Sequence, residues 1–185
     1  MNDINPGNFL HFPTALHSSN IKTMRLAILS LAAALCLASA SGAQESGIAV
    51  GTRAPAAAVK TLDGKPVDLA RYVGKGPVLM EFWATWCPSC RDLEPALLAA
   101  QKKYAGKVRF VGVAVSVNQS PARVKAYVAK HGIKHDILFD ANGKAAEVYD
   151  VPATSYVVVL NSKGSVVYTG LGGTQDLEAA IRKAL

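Results

Sequence analysis

Two cysteines three residues apart, Cys87 and Cys90, stand where the sequence changes from a strand-like to a helix-like pattern. The apolar run Val78-Leu79-Met80-Glu81-Phe82-Trp83 precedes them, and Leu93, Leu97, Ala100 and Tyr104 follow at helical spacing. A cysteine in the first turn of a helix meets unpaired backbone N–H groups and a partial positive charge. A thiolate there is stabilised, and its pKa falls below the roughly 8.5 of a free thiol. Cys87 is expected to be that thiolate and the exposed member of the pair. Cys90, one turn further on, is expected to close a disulfide with it and so release a partner held as a mixed disulfide. Glu81 is the third candidate: a carboxylate in an apolar strand is desolvated, which raises its pKa toward the range that suits proton transfer near neutral pH.

The elements that must position these groups follow from the pattern. Pro55, Ala57-Ala58-Val59, a turn at Asp63-Gly64 and Val67 predict a short hairpin ahead of the core. Gly74-Lys75-Gly76-Pro77 breaks the chain before the main strand, residues 78–83, whose apolar character on both faces suits the middle of a sheet covered by helices. A helix over residues 88–104 accepts Pro88 in its first turn, whereas Pro95 predicts a kink near Arg91. Residues 108–115 read as a second buried strand. Ser120-Pro121 and Gly132 then mark the start and stop of a second helix. A short strand at Ile137-Leu138-Phe139, a brief helix over 144–149, a hairpin of strands 155–160 and 166–169, and a last helix capped by Thr174 complete the order. The expected class is α/β, with parallel and antiparallel pairs in one sheet.

Half of the 185 residues are apolar, which suits one compact domain and an appendage. Lys22 and Arg25 flank Met24, the apolar run of residues 26–37 follows, and Ala38-Ser39-Ala40 and Ser41-Gly42-Ala43 offer small-x-small cleavage sites. Residues 24–43 are therefore read as a secretory signal peptide, too short in its apolar core for a spanning helix of about 20 residues. A retained signal would leave a membrane anchor. Residues 1–23 have no hydrophobic period and are read as a doubtful leader, with translation expected to begin at Met24. Residues 44–50 read as a linker and 51–185 as the folded domain. Cys36 sits in the signal after Leu35, where lipid attachment wants a small residue, so export would leave only Cys87 and Cys90. One C-x-x-C and no other thiol is chemistry rather than a disulfide scaffold. With Lys22, Arg25 and Asp3 set aside, 18 basic and 12 acidic residues remain, spread without a basic block. Solubility is the expected role of that charge, and no nucleic-acid partner is expected.

The phrase Glu81-Phe82-Trp83-Ala84-Thr85-Trp86-Cys87-Pro88-Ser89-Cys90 is similar to the active-site signature of the thioredoxin superfamily. The chain from about Gly51 onward resembles its fold: a central mixed sheet flanked by helices, with an N-terminal hairpin and a strand-helix insertion. The signal, the hairpin and the insertion before Pro152 resemble the exported TlpA/ResA-like thiol-disulfide oxidoreductases, which include reductants of apocytochrome c. The resemblance implies Cys87 as attacker, Cys90 as resolver and Glu81 as the buried acid that moves protons for the resolving thiol. It makes Trp86 the flanking tryptophan, and Pro88, Ser89, Val151 and Pro152 the substrate-facing residues. Pro152 is expected as a cis-proline, a form only about 0.5–1 kcal/mol above trans, and Val151 as a backbone strand partner for substrate. Such proteins commonly place a glutamate three residues after the second cysteine. Here Leu93 holds that place and Glu94 follows, rotated by about 100° around the helix, so Glu94 is left out of the expected site.

Thiol-disulfide exchange is thus the expected activity: an exported, periplasmic monomer reducing protein disulfides and recharged by a membrane thiol-disulfide donor, with no cofactor beyond its own redox-active disulfide. Two alternatives use the same thiols. One is disulfide formation. The other is a copper or zinc chaperone, for which His131 and His135 would be further ligands, although Gly132 between them ends the helix and separates their faces. A thiol peroxidase is disfavoured, because Ala84 and Met80 stand where its motif wants a hydroxyl residue and a proline.

Overall fold

The computed structural model describes residues 47–185. The leader over 1–23, the signal over 24–43 and the first part of the linker lie outside the described residues. The chain begins with the hairpin of β1 (Ala58–Thr61) and β2 (Pro66–Asp68), followed by a 3-10 turn, Leu69–Tyr72. Then come β3 (Val78–Trp83), α1 (Pro88–Lys103), β4 (Arg109–Val115), α2 (Pro121–His131), β5 (Asp136–Asp140), α3 (Lys144–Val148), β6 (Tyr156–Leu160), β7 (Val166–Leu171) and α4 (Leu177–Arg182). The seven strands form one sheet in the order β2-β1-β5-β4-β3-β6-β7. β3 runs parallel to β4 and antiparallel to β6, so the strand leading to the cysteines lies mid-sheet, as its two-sided apolar run requires.

The alternation of β3 divides the interior. Val78, Met80 and Phe82 join Val111, Val113, Tyr156 and Val158 on one face, under the hairpin and α3 residues such as Ala145. On the other face, Leu79 packs with Leu93, Leu97 and Ala100 of α1 and Leu177 and Ile181 of α4. Trp83 and Ala84, at the end of the strand, pack with both cysteines, Ala114 and Val124 of α2.

The caps show how far local chemistry fixes these elements. Ser120 Oγ accepts from Arg123 N at 3.3 Å, Pro121 opens α2, and Gly132 closes it in the left-handed conformation at φ 63°. The last helix starts later than expected. Asp176, not Thr174, caps it by accepting from Ala179 N, because Gln175 is held back by bonds from its amide to the carbonyls of Ser155 and Gly172. The end of the expected linker is also docked: Ile48 is buried, its N–H reaches Tyr149 O, and Gly51 and Thr52 exchange backbone bonds with Val166. No helix among the described residues is long and apolar enough to cross a membrane.

Candidate active site

β3 delivers the chain to the redox pair. After Trp83, Cys87 N donates to Ala84 O at 3.1 Å and closes a turn that stands Cys87 at the N-cap of α1. Pro88 supplies the first helical residue, where its missing N–H removes nothing. Cys87 and Cys90 are joined as a disulfide with Cα atoms 5.3 Å apart, and Cys87 Sγ also accepts from Cys90 N at 3.1 Å. The sulfur therefore caps the helix itself. That bond and the helix dipole favour a thiolate on Cys87 once the pair is reduced.

Two expectations change here. Cys87 was expected to be the exposed member, yet it is 3 % exposed and Cys90 8 %. Its position over the helix end packs it among Trp83, Ala84, Val115 and Val124. Access to it passes Trp86, which is exposed and donates its indole N–H to Val117 O at 2.8 Å, and Pro88, also exposed. Ser89 is partly buried. The second change concerns Val151 and Pro152. Among the described residues no peptide bond is cis, so Val151–Pro152 is trans, and Pro152 lies exposed. The loop bends instead through Asp150 and Ser155, both at positive φ. Val151 N is already committed to Ala146 O at 2.9 Å, which removes the donor expected to pair with substrate. The apolar groove of about 450 Å3 beside Trp86 is lined by Val117, Val151, Ala153 and Thr154; sequence reasoning passed over three of these four.

Gln119 was missed as well. Its amide oxygen accepts from Thr85 N at 2.9 Å while its nitrogen donates to Val115 O at 2.5 Å, tying the turn before the cysteines to the end of β4. Nothing in a lone glutamine signals this clamp.

Glu81 stands where the strand pattern places it, 6 % exposed, with Oε1 lacking a partner. Burial first, and the charge of Glu94 second, push its carboxyl up to about 8. Glu81, Trp83, Cys90, Glu94, Tyr127 and His135 line one small cavity behind the resolving cysteine. Glu94, set aside on helical geometry, therefore belongs to the site's back wall. Tyr127 OH donates to its Oε2 at 3.3 Å, and its Oε1 lies 3.2 Å from His131 Nδ1. His135 is engaged elsewhere, with Gln101 Nε2 at 2.6 Å from its Nδ1, and burial pulls its pKa down to about 4. Among the described residues no group of three or more His, Cys, Asp or Glu side chains is arranged to hold a metal ion.

Comparison with known proteins places the chain in a family. The family model described as Redoxin matches residues 49–185. The thioredoxin-like protein YneN of Bacillus subtilis is 35 % identical over 138 residues, covering 73 % of this chain and 80 % of that protein. The thiol-disulfide oxidoreductase ResA of the same organism is 29 % identical over 147 residues, covering 80 % and 81 %. A crystal structure of a thiol:disulfide interchange protein from Chlorobium tepidum superposes with a TM-score of 0.61 at 28 % identity, covering 74 % of this chain and 97 % of that one. With its C-x-x-C pair at the tip of a buried strand, the chain is a ResA-like thiol-disulfide oxidoreductase of the thioredoxin superfamily, and it belongs to the Redoxin family.

Proposed function

We propose that the protein is an exported reductase of protein disulfides, of the kind that serves cytochrome c maturation or a related thiol-requiring assembly. The observation that carries this reading is Cys87 Sγ capping α1, with the buried Glu81 and Cys90 on one cavity behind it. Cys87 thiolate attacks a substrate disulfide, one substrate sulfur leaves, and a mixed disulfide forms. Cys90 then attacks Cys87, the second substrate sulfur leaves, and the pair is left oxidised. A membrane thiol-disulfide donor returns two electrons to it. The groove beside Trp86 receives the substrate segment, and the signal read at residues 24–43 provides the route of export.

Trapping tests the reading. Cys90→Ala expressed in the exporting cell should hold a substrate protein on Cys87 through a bond that reductant cleaves, and Cys87→Ala should hold none. Equal capture by both variants would overturn it. Direction has its own measurement: the reduction potential should lie nearer the about −270 mV of thioredoxin than the about −120 mV of a strong oxidant.

A further inference from the structure

Reduction of a substrate by this pair, the reading proposed above, leaves a proton indoors. Cys90 must lose one before it can attack, and Glu81, buried on the same cavity, is the base beside it. A carboxyl this deep cannot hand its proton directly to bulk water. The cavity measures about 30 Å3, enough for a water molecule, which needs roughly 10–15 Å3 on this measure. Glu81 Oε1 and Trp83 Nε1 are both unpartnered there, so such a water would find polar contacts.

The groups around it narrow the way out. From β3 comes Glu81, from α1 Cys90 and Glu94, from α2 Tyr127, and from the approach to β5 His135. Arg91 lies near enough for its charge to act on the Tyr127 phenol, whose own proton burial holds in place. His135 is desolvated and its Nδ1 is occupied by Gln101. Glu94 differs: it lines the cavity, yet its side chain is 22 % exposed, and the His131 beside it is 27 % exposed. The imidazole is stacked on the Tyr127 ring at 3.8 Å and 13°, which fixes its plane and aims Nδ1 at the carboxylate.

We propose that the proton released when Cys90 resolves a mixed disulfide leaves the interior through Glu94 and His131, with Tyr127 as the positioning residue that holds both. Cys90 S–H gives its proton to Glu81 in its ionised form, the minority form until about pH 8. The Cys90 thiolate attacks Cys87 Sγ, the Cys87–Cys90 bond forms, the Cys87–substrate bond breaks, and the electron pair departs on the substrate sulfur. The cysteine pair is oxidised by two electrons as the substrate is reduced. Glu81 passes the proton through the cavity water to Glu94. His131 Nδ1 takes it there, and Nε2 sheds a proton to solvent.

The test mixes the reduced protein rapidly with one equivalent of the aromatic disulfide DTNB and follows release of the coloured thiol. The first release reports attack by Cys87, the second resolution by Cys90. His131→Ala should slow the second release relative to the first by about tenfold or more, since positioned proton transfer commonly contributes about 10²–10⁴-fold. Free imidazole should restore it in that variant and leave the wild type unchanged. Glu94→Gln should slow the same step, and imidazole should not relieve it. An unchanged second release in both variants, or a slowing of His131→Ala that imidazole leaves untouched, overturns the proposal. Absence of any first release in the wild type would instead overturn the thiol-exchange reading beneath it.

Discussion

A single strand residue sets the acid-base character of this site. Glu81 occupies an inward position of β3 between Leu79 and Trp83, and its buried Oε1 has no hydrogen-bond partner to offset the loss of bulk water. Its carboxyl is raised from 4.5 to about 8. In the unfolded chain the group ionises near its ordinary value, while in the folded chain it stays protonated until about pH 8. The folded state therefore binds the extra proton between these limits, and stability falls as pH rises through that window. Glu81→Gln removes the titration. Urea unfolding of the oxidised protein at several pH values should show the wild type losing stability relative to the variant by on the order of a few kcal/mol from pH 4.5 to 8, the contribution of the buried His135 being common to both. Parallel curves for the two proteins would mean that Glu81 is ionised in the fold at neutral pH.

At the scale of elements, two of the residues that line the cavity, Trp83 and Ile137, pack as they do because β4 presents no side chain at one position. A Cβ built on Gly112 would lie 2.6 Å from Ile137 Cδ1 and 2.9 Å from Trp83 Nε1, so the glycine leaves room for both side chains. Gly112→Ala should lower stability by about 1–3 kcal/mol by overpacking, read as a shifted urea midpoint at constant slope. No shift would mean that Ile137 and Trp83 rearrange freely. The sequence made β3, the redox turn and both ends of α2 legible, because a two-sided apolar run, a C-x-x-C before a helical period and a Ser-Pro…Gly frame are local signals. It did not make Gly112 legible: a strand glycine has no partner until the sheet order brings β3 and β5 to either side. Glu94 was hidden for the same reason. Helical rotation alone turns it from the expected place, but α2 brings Tyr127 and His131 to meet it. The trans bond at Pro152 reflects a loop bent by Asp150 and Ser155 on either side of it, which composition does not announce.

The molecule as a whole separates its support from its chemistry across the sheet. The redox pair, Trp83 and Val124 of α2 form one cluster at the end of β3, whereas Ile48, the hairpin and α3 pack on the opposite face against Met80, Phe82 and Tyr156. The segment leading into the domain belongs to that second layer. Ile48 is buried with its N–H on Tyr149 O, and the residues after it run beside the start of β7, where Ala54 N reaches Gly164 O. Truncating this side chain should open space in the supporting layer without reaching the cysteines. Ile48→Ala should cost about 2–5 kcal/mol, as large-to-small changes in buried sites do, measured by urea unfolding of oxidised and reduced protein alike. The rate of the first DTNB release, compared under conditions where the variant is fully folded, should match the wild type. A slower first release at full folding would show that the two faces are coupled through β3, and that the entry segment tunes Cys87 as well as holding the sheet.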